Sequence, residues 1–250
     1  MKIAVSFSGG GLRAAAHIGV LKFLEEQGVE ISAVSGSSAG AMVALMVACG
    51  YRSDEIYTFL KEIEKKELFK LSSEPGLFSL KVLEKKLRDF VGTRYYEEMK
   101  IPLYTCVTDL INGESLYLNT GDPVANAIAS SSLTPIFEAK EIEGRYYVDG
   151  GFSDNLPVKP LRALNEKVLA IDVNPLIGGP PKGFKSLLIR SILIMLHANV
   201  RHSIRITDAP VTIRGVARMH LFNFKEIDAA YEAGYSELAT QWNELKQKLV

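Results

Sequence analysis

The sequence predicts an α/β fold: a mostly parallel sheet with helices on both faces. Three observations point to it. Strand-like and helix-like runs alternate along the chain, and a glycine turn follows each of the first two strand-like runs. Residues 39–49 are apolar on every side, which marks a helix buried on all faces. The runs 3–7 and 167–173 are short and apolar, as buried strands are.

The elements follow in order. Residues 3–7 form the first strand, and glycines follow it directly. Residues 14–26 place Ala16, Ile18, Val20, Leu21 and Leu24 on one helical face, and Gly28 supplies the stop. Residues 29–35 return as a second strand, and 39–49 form a helix whose Gly and Ala content lets it lie close to a sheet. Ser53 or Asp54 caps a helix reaching about Lys70, and Ser79 caps another through Val91. Charges of alternating sign over 61–70 read as a solvated helix face. Residues 101–108 and 114–118 pair as strands around the turn dipeptide Asn112-Gly113. A helix over 122–131 ends before Pro135, and 141–148 makes a short strand or hairpin around Gly144. A buried strand over 167–173, an apolar helix over 186–201 with basic ends, and an amphipathic helix over 226–249 complete the chain. There is no internal repeat, and the 250 residues are expected to form a single domain, 1–250.

Composition bounds the function. At 47% apolar and 23% charged residues, the chain has the balance of a packed globular fold. Its 29 basic and 29 acidic side chains cancel, which argues against a nucleic-acid partner. Cys49 and Cys106 lie in apolar runs and read as buried hydrophobes rather than a disulfide. The chain enters a strand almost at once and carries no stretch of membrane-spanning length, so the expected location is cytoplasmic.

Chemistry enters at Gly36-Ser37-Ser38-Ala39-Gly40, a Gly-x-Ser-x-Gly pentapeptide between a strand and a helix. Such a turn presents a serine hydroxyl as a nucleophile for a carbonyl carbon. Gly9-Gly10-Gly11, between the first strand and its helix, can aim backbone amides at an anion. One use of that loop is a dinucleotide site, since Gly9-x-Gly11-x-x-Ala14 fits the loose pattern. That use needs an acidic residue at the end of the second strand, and Glu30 opens it instead. The other use is an oxyanion hole, because parallel neighbouring strands bring both glycine turns together. Asp149, at a strand end before Gly150-Gly151, is well placed to contact the serine hydroxyl. A Ser-Asp-His triad is the rival. His197, His202 and His220 satisfy the chain order, but none sits in a glycine-rich loop, and only two strands precede Ser38. His17 reads as a structural hydrogen-bonding residue.

Gly9-Gly10-Gly11-Leu12-Arg13, His17-x-Gly19-Val20-Leu21, Gly36-x-Ser38-x-Gly40 and Asp149-Gly150-Gly151 resemble the patatin-like phospholipases in order and spacing. Ala129-Ser130-Ser131, Pro135, Phe137 and Asn155-Leu156-Pro157 resemble that family's later block. The resemblance covers residues 3–160 and departs at Ala14, where many members carry another glycine. It implies a three-layer α/β/α fold and hydrolysis of lipid or fatty-acyl esters without a metal or cofactor. It also implies a dyad of Ser38 as nucleophile and Asp149 as base, with Gly9, Gly10 and Gly11 as oxyanion hole and Arg13 in support. Two alternatives stay open beside it: acyl transfer by the same serine, and a non-catalytic lipid-binding module. The oligomeric state is open too. The run Leu187 to Leu196, flanked by Lys182, Lys185, Arg190, Arg201 and Arg205, reads either as a core helix or as a peripheral membrane contact.

Overall fold

The computed structural model describes residues 1–92, 95–164, 166–176 and 180–250; the side chain of Lys185, one of the basic flanks named above, lies outside that description. The central sheet is built from β1 (Lys2–Phe7), β2 (Glu30–Ser37), β3 (Leu103–Asp109), β4 (Ser115–Leu118), β5 (Lys140–Ile142), β6 (Arg145–Asp149), β7 (Val168–Asp172) and β8 (Ala209–Thr212). Its order is β5-β6-β3-β2-β1-β7-β8, with β4 also paired to β3. Pairings from β3 through β2, β1 and β7 to β8 are parallel, and β4, β5 and β6 join antiparallel.

The helices are α1 (Ala15–Glu26), α2 (Ala39–Cys49), α3 (Ser53–Lys61), α4 (Lys65–Leu68), α5 (Lys81–Val91), α6 (Pro123–Ser130), α7 (Lys159–Arg162), α8 (Phe184–Ile206) and α9 (Ile227–Leu249). Strand periodicity divides them between two faces. Ile3, Val5 and Phe7 of β1, with Leu169 and Ile171 of β7, pack with residues of α1, α2 and α9. Ala4, Val168 and Ala170, pointing the other way, pack with Leu161 of α7 and Val200 of α8. The result is the three-layer α/β/α arrangement.

Two sequence expectations are corrected and one, on the cysteines, holds. The helix expected from Ser53 to about Lys70 breaks after Lys61, because Glu64 caps a new turn, its amide held by Glu67 Oε2 at 2.8 Å. That break turns Ile63 and Leu68 into the core. The helix expected over 186–201 runs from Phe184 to Ile206, and β8 follows it unannounced by the sequence. Both cysteines are buried and neither is in a disulfide.

One register relation places the site. β4 covers residues 105–108 along one edge of β3, so β2 and β6 must share the other edge. β2 pairs there as far as Ser37↔Cys106, and β6 takes over at Asp149↔Val107. Where β2 leaves the sheet at Ser38, Asp149 occupies the next rung.

Candidate active site

Ser38 stands between β2 and α2 with φ 53° and ψ −130°. A positive φ at a non-glycine residue is strained, and such strain collects at functional sites. The turn is held by close packing around its two glycines. A Cβ at Gly36 would collide with the Gly40 carbonyl, and one at Gly40 with the carbonyls of Phe7 and Ser8. The spacing of Gly-x-Ser-x-Gly is therefore a requirement for strand and helix to cross this tightly and to rest on the end of β1.

Ser38 Oγ donates to Asp149 Oδ2 at 2.6 Å. Asp149 Oδ1 accepts from the Gly151 amide at 2.8 Å. The Asp149 backbone is fixed as well: its amide donates to Ser132 O at 3.0 Å, and its carbonyl accepts from Thr108 Oγ1 at 2.9 Å. The carboxyl is buried, and that desolvation pushes it up to about 6, against the Ser38 and Gly151 hydrogen bonds that pull it down. A carboxylate of this kind is ionised at neutral pH yet more basic than an ordinary aspartate.

The glycine triplet lies across from the elbow, since β1 and β2 end side by side at Phe7↔Gly36. Its amides are not equivalent. Gly9 N donates to Asn155 O at 3.1 Å, so of the three amides expected in the oxyanion hole this one is already engaged. The amides of Gly10 and Gly11 have no partner among the described residues. Gly11, at φ 55°, opens a short 3₁₀ turn. Arg13 makes no hydrogen bond to Ser38 or Asp149. Its Nε and Nη2 donate to Met219 O at 2.9 and 2.6 Å, tying the triplet loop to the segment that continues into Leu221 and Phe222. Burial pulls this guanidinium down, with Asp172 and Glu226 opposing.

Two residues that sequence reasoning left without a role complete the site. Ser130 Oγ accepts the Ser38 amide at 2.7 Å and donates to Cys106 O at 2.5 Å, bracing the elbow from α6. Asn155 is fully buried, and neither atom of its carboxamide has a hydrogen-bond partner among the described residues. A Cβ built at Gly9 would lie 2.5 Å from Asn155 Oδ1 and 2.9 Å from Ser38 Cβ, and one built at Gly151 would lie 2.8 Å from Asn155 Oδ1 and 3.0 Å from Asp149 Oδ1. The carboxamide therefore sits within about 6 Å of both members of the pair. Its only sequence signal is membership of the Asn-Leu-Pro block.

Ser38, Asp149, Gly10, Gly11 and Asn155 open onto an apolar cavity of about 110 Å³. It follows Ala39, Met42, Val43 and Met46 along α2, a spacing of three and four residues that marks one helical face. This is why α2 is apolar all round: one side meets the sheet and another lines the cavity. The depth from Ser38 to Met46 is about 12 Å at helical rise. No histidine lines the cavity among the described residues. His17 is buried with Nε2 on Ser8 O at 2.8 Å, and burial pushes its imidazole down to about 4 despite that bond. His197 and His202 lie on α8, and His220 in the segment after β8. No cluster of His, Cys, Asp and Glu able to hold a metal occurs among the described residues.

The family model Patatin-like phospholipase matches residues 5–162. An NTE family protein of Mycobacterium tuberculosis is 32% identical over 186 residues, covering 72% of this chain and 51% of its own length. The neuropathy target esterase sws of Drosophila melanogaster is 29% identical over 184 residues, covering 68% of this chain and 13% of its own. The chain thus spans about half the length, or less, of these curated relatives. Among solved structures, VipD from Legionella pneumophila aligns with TM-score 0.55 at 15% identity, over 97% of this chain and 67% of its own. The type III effector ExoU aligns with TM-score 0.57 at 14% identity, over 100% of this chain and 53% of its own. At these identities the two structures show the shared fold.

Proposed function

The chain belongs to the patatin-like phospholipase family, and from that premise we propose that it hydrolyses carboxylic esters of lipids through an acyl-enzyme on Ser38, with Asp149 as the base. The observation that carries this reading is the 2.6 Å bond from Ser38 Oγ to Asp149 Oδ2 beside an apolar cavity. Residues 1–250 act in this reading as one catalytic unit.

Asp149 takes the Ser38 proton as Oγ attacks the ester carbonyl carbon, and the carbonyl π electrons move to oxygen. The oxyanion accepts from the Gly10 and Gly11 amides and from the Asn155 carboxamide, whose lack of other partners supports this role. Collapse expels the alcohol, which takes the proton from Asp149. Water then repeats the sequence on the acyl-enzyme and releases a fatty acid. Arg13 and Ser130 act through position: one fixes the triplet loop, the other fixes the elbow. The steps use side chains and backbone amides alone. A lipid substrate is supported by the cavity's lining, which suits an acyl chain running along α2.

The test is direct. A fluorophosphonate should label Ser38, and Ser38→Ala or Asp149→Asn should lower fatty-acyl ester hydrolysis by about a thousandfold or more with the far-UV circular dichroism unchanged. Turnover within tenfold of the parent in either variant overturns the dyad. Acyl groups recovered on an added alcohol, in place of free fatty acid, would reassign the second half-reaction to transfer.

A further inference from the structure

The outer face of α8 gathers four exposed large hydrophobic side chains on one helix. Phe184 is 81% exposed, Leu187 52%, Leu188 43% and Ile194 51%. At 100° per residue these four fall within one sector of the helix, which Ser191 and Ala198 fill in and Arg201 and Arg205 extend, all of them exposed. The outward face is thus apolar for the first four turns and basic at its end. The opposite side, carrying Leu193, Leu196 and Val200, is buried. No acidic residue occurs anywhere in α8, although the whole chain is electrically neutral.

Beside that face lies a hollow of about 240 Å³, between α8 and the segment 217–221, to which Lys182, Arg190, Arg218 and the buried Arg13 contribute. Arg13 is 4% exposed, and its Nη1 has no hydrogen-bond partner among the described residues. None of Lys182, Arg201, Arg205 and Arg218 is ion-paired among the described residues. Unpaired cations beside exposed aliphatic side chains form the pattern of a segment that lies in a lipid interface. Among the described residues no helix is long and apolar enough to cross a membrane, so the arrangement suits lying on one.

We propose that α8 and this hollow form the surface by which the protein docks onto an anionic lipid bilayer, with Phe184, Leu187, Leu188 and Ile194 entering the acyl region and the cations meeting headgroup phosphates. The charge excess selects a lipid surface over a second copy of this chain, whose α8 would bring the same cations against its own. The helix also touches the site: its Leu196 lines the cavity at Ser38, as does Leu221 of the segment bordering the hollow, and Asn199 Nδ2 donates to the carbonyls of Gly151 and Phe152 at 2.9 and 3.0 Å, in the loop after Asp149. Docking at α8 therefore brings the bilayer to the element that borders the catalytic loop. This inference rests on the lipid-ester reading only for its purpose, and it is tested without it.

The experiment is co-sedimentation with vesicles of phosphatidylcholine containing phosphatidylglycerol and with vesicles of phosphatidylcholine alone. In parallel, turnover of a short-chain, water-soluble ester and the elution volume in size exclusion are measured. The parent should pellet with the anionic vesicles and lose binding as salt rises. The double variant Phe184→Ser with Leu188→Ser should bind about tenfold more weakly. Lys182→Ala with Arg218→Ala should bind about threefold more weakly at low salt and like the parent at high salt. All three should cleave the soluble ester alike. Three results would overturn the proposal: equal pelleting with both vesicle types, parent-like binding by the Phe184/Leu188 variant, or a parent dimer that this variant converts to monomer. A parent that pellets but cleaves no soluble ester would sink the catalytic reading and leave the docking surface standing.

Discussion

The pairing of α1 with α9 and the elbow around Ser38 are built by opposite rules. Between α1 and α9, Gly19 faces the Tyr231 carbonyl and Gly234 faces Ala16 so closely that a Cβ at either would collide with backbone. Phe23 packs edge-on against Tyr235 and Trp242 at centroid distances of 5.6 and 5.7 Å. Among the described residues its unpartnered buried side-chain atoms are the Trp242 indole N–H and His17 Nδ1, the latter at the end of α1 nearest the glycine triplet. Around the elbow, Ser38 holds a strained φ, Asp149 is a buried acid, and Ser37 Oγ and both polar atoms of the Asn155 side chain are unpartnered among the described residues. Each unpartnered buried group costs about 1–3 kcal/mol. The comparison teaches that helix pairing on one face supplies the stability that lets the carboxyl ends of β1 and β2 stay strained and unsatisfied.

That contrast can be broken most forcefully at the helix pair. Gly19→Val or Gly234→Val should cost about 3 kcal/mol or more in chemical denaturation, because two helix backbones must separate. Ester turnover per folded molecule should be unchanged. An equal loss of turnover would show that the two regions are not separable. At the elbow the order of effects reverses. Asn155→Ala should lower kcat by about a hundredfold with KM little changed, while the denaturation midpoint stays put or rises as an unsatisfied amide is removed. A variant that loses stability and keeps kcat would assign Asn155 to packing alone. The pH profile sharpens the same point. The carboxyl of Asp149 must be ionised to accept a proton and its value is about 6, so kcat/KM should be half-maximal near pH 6 and fall about tenfold per unit below it. A profile flat to pH 5 would contradict a buried base. The smallest effect is Ser38→Gly: relief of the positive φ should raise stability by about 1 kcal/mol while abolishing turnover. A less stable glycine variant would show that the elbow stores no strain.

How much of this was legible in the sequence depends on the range of the interaction. Ser38, Asp149 and the glycine triplet announce themselves because their neighbours in sequence, glycines and strand ends, are what the geometry needs. The alternation of elements likewise gave the sheet and both helical layers, since periodicity is a local property. Ser130 and Asn155 gave no comparable signal. A serine in an Ala-Ser-Ser run reads as a helix end, and nothing nearby says that its hydroxyl meets an amide 92 residues earlier. The engagement of the Gly9 amide by Asn155 O is equally long-range. The break after Lys61 was hidden because charged residues on both sides continue a helical pattern, and a Glu is a less familiar cap than Ser or Asp. α8 gave its apolarity and its basic flanks, but the division between a buried side and an exposed one required the position of the sheet.

The shared edge of β3 has a consequence for how the protein comes into being. The two hydrogen-bonded side chains, Ser38 and Asp149, are 111 positions apart, and the later one lies on a rung that exists only when β6 is paired with β3. A chain still on the ribosome thus carries Ser38 without its carboxylate partner until residue 149 has emerged. In the reading proposed above, ordered synthesis leaves the site incomplete for more than half of elongation.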